Sequence, residues 1–145
     1  MAQKTLTTKT TLREDLVRRV REKVLVEFEK MKTIIEDGDI SVYTALSDDD
    51  VIKLVLLALD EAKQPVSWRE LKKIFFGIVG EDRLRKILSS LKARNMIAEL
   101  THTRYSLPQH VPDEEMDKIK NPGILPIIEK LKLAKKGIKV EEVIQ

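Results

Sequence analysis

The chain has no cysteine, which excludes disulfides, thiolate zinc sites, iron–sulfur clusters and cysteine nucleophiles together. Aromatic residues are scarce, with one Trp, two Tyr and three Phe among 145 residues, so aliphatic side chains must fill most of any core. Long hydrophobic runs are missing as well. The longest, Leu54–Leu59, is far short of the ~20 apolar residues that span a bilayer. The opening stretch, MAQKTLTTKTTLRED, is polar and lacks the apolar segment of a secretory leader; the expected location is cytoplasmic. Catalytic signatures are also absent: there is no glycine-rich phosphate loop, no G-x-S-x-G elbow and no H-E-x-x-H. The only histidines, His102 and His110, flank one strand, and with Asp113 or Glu114 they do not reach the tight spacing of a structural metal site. Neither an enzyme nor a cofactor is expected.

What is present is charge, at 35% of residues, over a 42% hydrophobic background. That suits one ordinary domain with helical extensions. Abundant Lys and Glu without Cys also matches thermophile composition. The net charge of +3 decides little, but its distribution is uneven. Pro65–Leu107 holds nine bases (Arg69, Lys72, Lys73, Arg83, Arg85, Lys86, Lys92, Arg94, Arg104) against four acids (Glu70, Glu81, Asp82, Glu99). After Leu107 the two signs balance, and every base there is Lys. A concentrated excess rich in Arg is the electrostatic footprint that nucleic acid requires.

Residues 1–10 are rich in Thr and Lys and are expected to be disordered. Thr11 and Glu14 stand at capping-box spacing and open an expected helix over 11–38. Its stripe is Leu12, Leu16, Val20, Val24, Phe28, Met31 and Ile35, ending at Asp37-Gly38. Two readings fit that stripe: a helix packed across the domain core, or a seam that pairs two copies into a homodimer. Periodicity does not separate them; the dimer is favoured because the stripe runs about seven turns. Residues 39–46, DISVYTAL, have strand character. Ser47 caps a further helix with Asp48, Asp49 and Asp50 in its first turn. Those carboxylates lie about 100° apart and cannot converge on one ion. The helix body, Val51–Ala62, is apolar nearly all round and should be buried.

The stretch around which the chain is organised follows. Ser67 and Glu70 form another capping box, and Leu71, Ile74 and Phe75 recur at helical spacing. Gly77 and Gly80 bracket a turn. A second helix starts at Glu81-Asp82 and buries Leu84, Ile87, Leu88 and Leu91, with Asn95 as a left-handed cap. Met96–Leu100 alternates as a half-buried strand, and Arg104–Leu107 is its partner across Thr101-His102-Thr103. Phe75 and Phe76 read as core and turn, because no interleaved bases flank them in sequence. Trp68 suits either the core edge or a place near phosphate.

Helix, turn, helix and hairpin, carried by S-x-x-E-L (Ser67 to Leu71), L-x-x-[IL]-L-x-x-L (Leu84 to Leu91) and K-A-R-N-M-I (Lys92 to Ile97), resemble the winged helix-turn-helix superfamily over residues 47–110. The fold class this implies is mainly α with a small β-hairpin, with N- and C-terminal helical extensions. In that family the second helix enters the major groove and the wing touches backbone. The resemblance therefore implies double-stranded DNA as partner and helix 81–94 as reader, in a transcriptional regulator or chromosome-associated protein. The implied DNA contacts are Ser67, Arg69, Lys72, Arg83, Arg85, Lys86, Ser89, Ser90, His102, Thr103 and Arg104. Two features depart from the pattern: the wing is short and lacks glycine, and Glu81-Asp82 put negative charge where phosphate would lie. They keep a second reading open, a winged-helix module that binds proteins within a larger assembly of transcription, replication or membrane-remodelling machinery. The segment 111–145, punctuated by Pro112, Pro122 and Pro126, is expected to be a helical extension with a short acidic helix (Asp113–Ile119) and a helix from Pro126 to Gly137. Its apolar end, Ile138–Ile144, offers a surface to a protein partner.

Overall fold

Helix start and stop signals account for most element boundaries in a computed structural model of the chain, which describes residues 2–31, 34–37, 40–43 and 46–135, with side chains for 13–31 and 46–135. The elements are α1 (Ala2–Met31), β1 (Ile34–Asp37), β2 (Ile40–Tyr43), α2 (Asp48–Ala62), β3 (Val66–Ser67), α3 (Trp68–Phe75), α4 (Glu81–Ala93), β4 (Ala98–Leu100), β5 (Arg104–Ser106), three short 3-10 turns and α5 (Leu125–Lys135). The chain is mainly helical, with a three-stranded antiparallel sheet of order β3-β5-β4 and a separate β1–β2 hairpin. No described helix is long and apolar enough to cross a membrane.

Each cap has a local cause. Ser47 Oγ accepts from the Asp50 N–H at 3.1 Å and opens α2. Lys63, in the left-handed region at φ 57°, ends that helix, and its N–H reaches the Leu59 carbonyl. Ser67 and Glu70 form the full capping box at α3. Gly77 takes φ 79°, where a side chain would be strained. Asn95, at φ 54°, turns the chain out of α4 into β4.

The first helix departs from expectation at both ends. It begins at Ala2, so Thr11 lies inside it and residues 2–10 are helical. Extending an existing helix adds a hydrogen bond per residue without a new nucleus. It stops at Met31, and Ile35 belongs to β1 instead. Ile34 and Ile35 are β-branched, a preference that suits strands, and β2 pairs with them in the register Ile34↔Tyr43 to Asp37↔Ile40.

Of the two readings of the α1 stripe, the core face is the one the packing shows. Leu16, Val20 and Val24 are buried in the chain's own core against α2 and α3, and Phe28 and Met31 pack at its margin. That apolar surface is used within one molecule. The side chains of Leu12 and Ile35 lie outside the described residues.

Around α1 the main core gathers Leu54, Val55 and Leu59 of α2, Leu71, Ile74 and Phe75 of α3, and Leu84, Leu88 and Leu91 of α4. β4 separates this core from a smaller one. Ile97, just before the strand, faces the main core, whereas Ala98 and Leu100 pack with Val111, Ile124 and Ile128 of the C-terminal segment. The strand expected to be half-buried is thus covered on both faces. The chain returns along its edge: Thr101 N–H donates to the Lys118 carbonyl at 3.1 Å and Lys120 N–H to that of Glu99 at 2.7 Å. Asn121 fastens the return, accepting from the Glu99 N–H and donating to the carbonyls of Ile97 and Lys92. An exposed strand edge invites pairing with other chains, and this segment covers it. The acidic stretch Asp113–Lys118 is a 3-10 helix. Gly137 and Ile138–Ile144 lie outside the described residues.

Candidate nucleic-acid interface

Two arginines of α1 hold α3 in place. Arg13 binds both carboxylate oxygens of Glu70, with Nε at 2.7 Å from Oε2, and this is the carboxylate that closes the capping box on Ser67. Burial pushes the Glu70 pKa up, but the hydrogen bonds from Arg13 and the Ser67 N–H outweigh it and leave the group below its usual range. At the other end, Arg21 Nη1 donates to the carbonyls of Ile74 and Phe76 at 2.8 Å and of Lys73 at 3.2 Å. A cation thus sits on the unsatisfied carbonyls of a helix C-terminus, where the macrodipole favours it. Helices α1 and α3 therefore run side by side in the same sense. The sequence reading missed both arginines; their only trace there is an i, i+8 spacing on one helix face.

With Leu71, Ile74 and Phe75 turned inward, Arg69, Lys72, Lys73 and Phe76 lie along the outside of α3. Phe76 is 77% exposed. The outside of α4 presents Arg85, Lys86, Ser89, Ser90, Ala93 and Arg94, all exposed. The half-buried Trp68 joins the two surfaces: Arg85 lies 5.0 Å and Lys72 5.9 Å from its ring centroid. Such contacts hold a cation in place without neutralising it. Among the described residues, Arg69, Lys72, Lys73, Arg85 and Lys86 form no ion pair.

The other expected contacts are distributed differently. Ser67 is committed to its cap. Arg83 turns back to α2, with Nη2 at 2.8 Å from Asp48 Oδ1 and 2.7 Å from the Leu46 carbonyl. Arg104 Nη1 lies 2.7 Å from Glu115 Oε1, and that hydrogen bond holds the Glu115 pKa below its usual range. His102 and Thr103 are exposed in the β4–β5 turn, both left-handed, at φ 64° and 50°. The Thr103 carbonyl accepts from the Trp68 N–H at 2.9 Å, which ties this turn to the start of α3. Lys92 pairs with Glu99. His110 is remote from His102 in role: its Nε2 lies 2.9 Å from Asp60 Oδ1.

The arrangement can attract and track a polyanion along α3 and α4. Small side chains on α4 permit close approach, and Arg and Lys can reach base edges or phosphates. Comparison with family models, with curated proteins and with solved structures returned no match.

Proposed function

We propose that residues 47–110 form a winged helix-turn-helix and that the chain binds double-stranded DNA, with α4 in the major groove and α3 against the flanking backbone. The element order α2–β3–α3–α4–β4–β5 and the sheet order β3-β5-β4 support the fold reading. The observation that carries the function is the unneutralised set Arg69, Lys72, Lys73, Arg85 and Lys86, contiguous through Trp68 and bordered by Ser89, Ser90 and Ala93. A regulator of transcription or a chromosome-associated protein would use such a face. Arg83 and Arg104 drop to supporting roles, because their charge is already matched.

Lys86 is the base reader of this reading, and Lys72 a phosphate contact. A base read through both guanine acceptors is worth about 1–3 kcal/mol of discrimination. Glu81 and Asp82, exposed at the start of α4, oppose phosphate there and limit non-specific binding. The test is selection from random duplexes with wild type and three variants. Lys86→Ala should relax preference at one base pair, Lys72→Ala should weaken all sequences alike, and Asp82→Ala should raise non-specific affinity. Identical unbiased pools from all four proteins would end the claim of sequence reading. A binding constant that ignores salt would favour the protein-interaction module instead; the short β4–β5 turn and the Glu81-Asp82 pair are the features that suit it.

A further inference from the structure

The outer stripe of α3 has a composition that groove binding does not require. Arg69, Lys72 and Lys73 recur at i, i+3 and i+4, and Phe76 follows at i+7, just past the helix end. Among the described residues Phe76 is the one exposed aromatic side chain. It shares a surface depression with Arg21, Arg69, Lys72 and Lys73, at whose edge Glu81 is the single acid. Its backbone is pinned by Arg21, so the ring stands on a fixed stem. Beside it the space is open: a Cβ built on Gly77 or Gly80 would meet nothing within 4 Å.

We infer that Phe76 is a stacking platform for an unpaired base, and that the protein prefers DNA carrying a single-stranded tail beside the duplex. This deepens the duplex-binding reading and rests on it. An aromatic face flanked by bases is what sequence-tolerant single-strand binding uses, the ring taking the base and the cations its phosphates. The dimensions agree, because Arg69 to Phe76 covers about 10 Å at 1.5 Å per residue, room for a few nucleotides. An acidic peptide with an apolar anchor is the competing occupant. A peptide's apolar anchor needs a pocket that encloses it, whereas Phe76 is an open wall among four bases, which suits a flat base and its phosphates better.

The experiment measures binding of the full chain to a blunt duplex of about 20 base pairs, to the same duplex with a tail of about five thymidines at either end polarity, and to the tail alone. One stacked base should tighten binding about tenfold over the blunt duplex. Phe76→Ala should remove that gain and leave blunt-duplex binding unchanged, while Phe76→Trp should retain it. Lys73→Ala should shrink the gain and its dependence on salt. Equal affinity for blunt and tailed duplexes overturns the inference and leaves duplex binding standing. Binding of the tail through Phe76 with no binding of the blunt duplex supports the platform and overturns the duplex reading. Absence of binding to all three DNAs overturns both. An acidic leucine-containing peptide that binds through Phe76, when no tail does, reassigns the patch to a protein partner and overturns the inference.

Discussion

Arg83 and Arg85 stand two residues apart on α4 and belong to two different regions. On the side facing α2 and the C-terminal segment, every Arg of the Pro65–Leu107 stretch that meets a carboxylate is tied down: Arg83 to Asp48 and Arg104 to Glu115. On the outer side of α3 and α4, Arg69, Lys72, Lys73, Arg85 and Lys86 meet none. The local sequence excess was counted within one stretch, but its partners Asp48 and Glu115 come from outside it. The charge left over after tertiary pairing is therefore narrower than the sequence excess, and it sits on two helices instead of running on to the hairpin.

The same contrast operates on α1, where the largest effect is expected. Val20 is fully buried and Val26 is 53% exposed. Val20→Asp should destabilise by about 4 kcal/mol or more, because an unpaired charge enters the core, while Val26→Asp should stay within about 0.5 kcal/mol. Denaturant unfolding of the two variants checks this, and equal stabilities would undo the placement of α1 in the core.

Next in size is the clamp at the sheet edge. Asn121→Ala should cost about 1–3 kcal/mol, since the Glu99 N–H and the Ile97 carbonyl lose their partner. Hydrogen exchange should accelerate first at Glu99 and Thr101, before the α3–α4 amides. Uniform acceleration would mean that the C-terminal segment and the helices open as one unit.

Exchanging the two kinds of base should give opposite, smaller signatures. Lys72→Ala should leave stability within about 1 kcal/mol and reduce the log–log salt slope of duplex binding by about 0.9. Arg104→Gln should cost about 1 kcal/mol of stability and leave that slope unchanged. If Arg104→Gln lowers the slope instead, the hairpin side contacts phosphate after all.

The smallest effect concerns acid. Glu70 and Glu115 are held below the ordinary carboxylate range when folded. Their contribution is therefore complete above the unfolded-state value near 4.5 and is lost as pH falls through the lowered folded values. Glu70→Gln should be less stable than wild type at neutral pH and should show a shallower loss of melting temperature on acidification. Parallel curves would show that the Arg13 pair adds nothing to the linkage.

Much of this was legible in the residues because it was local. The capping box at Ser67, the cap at Ser47, the left-handed turn at Asn95 and the inward face of α4 each depend on a few neighbouring positions. The outer face of α4 follows from the inward one by the helical step alone. Phe75 and Phe76 read from the sequence as core and turn and stand there, Phe75 buried and Phe76 exposed just past the end of α3; the bases beside Phe76 lie one and two turns back along the helix.

By itself, then, the sequence determined where helices start, stop and turn, and which stripe of each is apolar. Those are consequences of backbone hydrogen bonding and of a 3.6-residue period. It left open what each stripe meets. Leu16, Val20 and Val24 could cover a core or pair with a twin, and only the packing of α1 on α2 and α3 shows which. Arg13, Arg21, Arg83 and Arg104 look like any other bases until carboxylates and carbonyls from distant parts of the chain arrive beside them. Apolar burial and charge pairing are indifferent to separation along the chain, so tertiary structure alone decides which charges remain free.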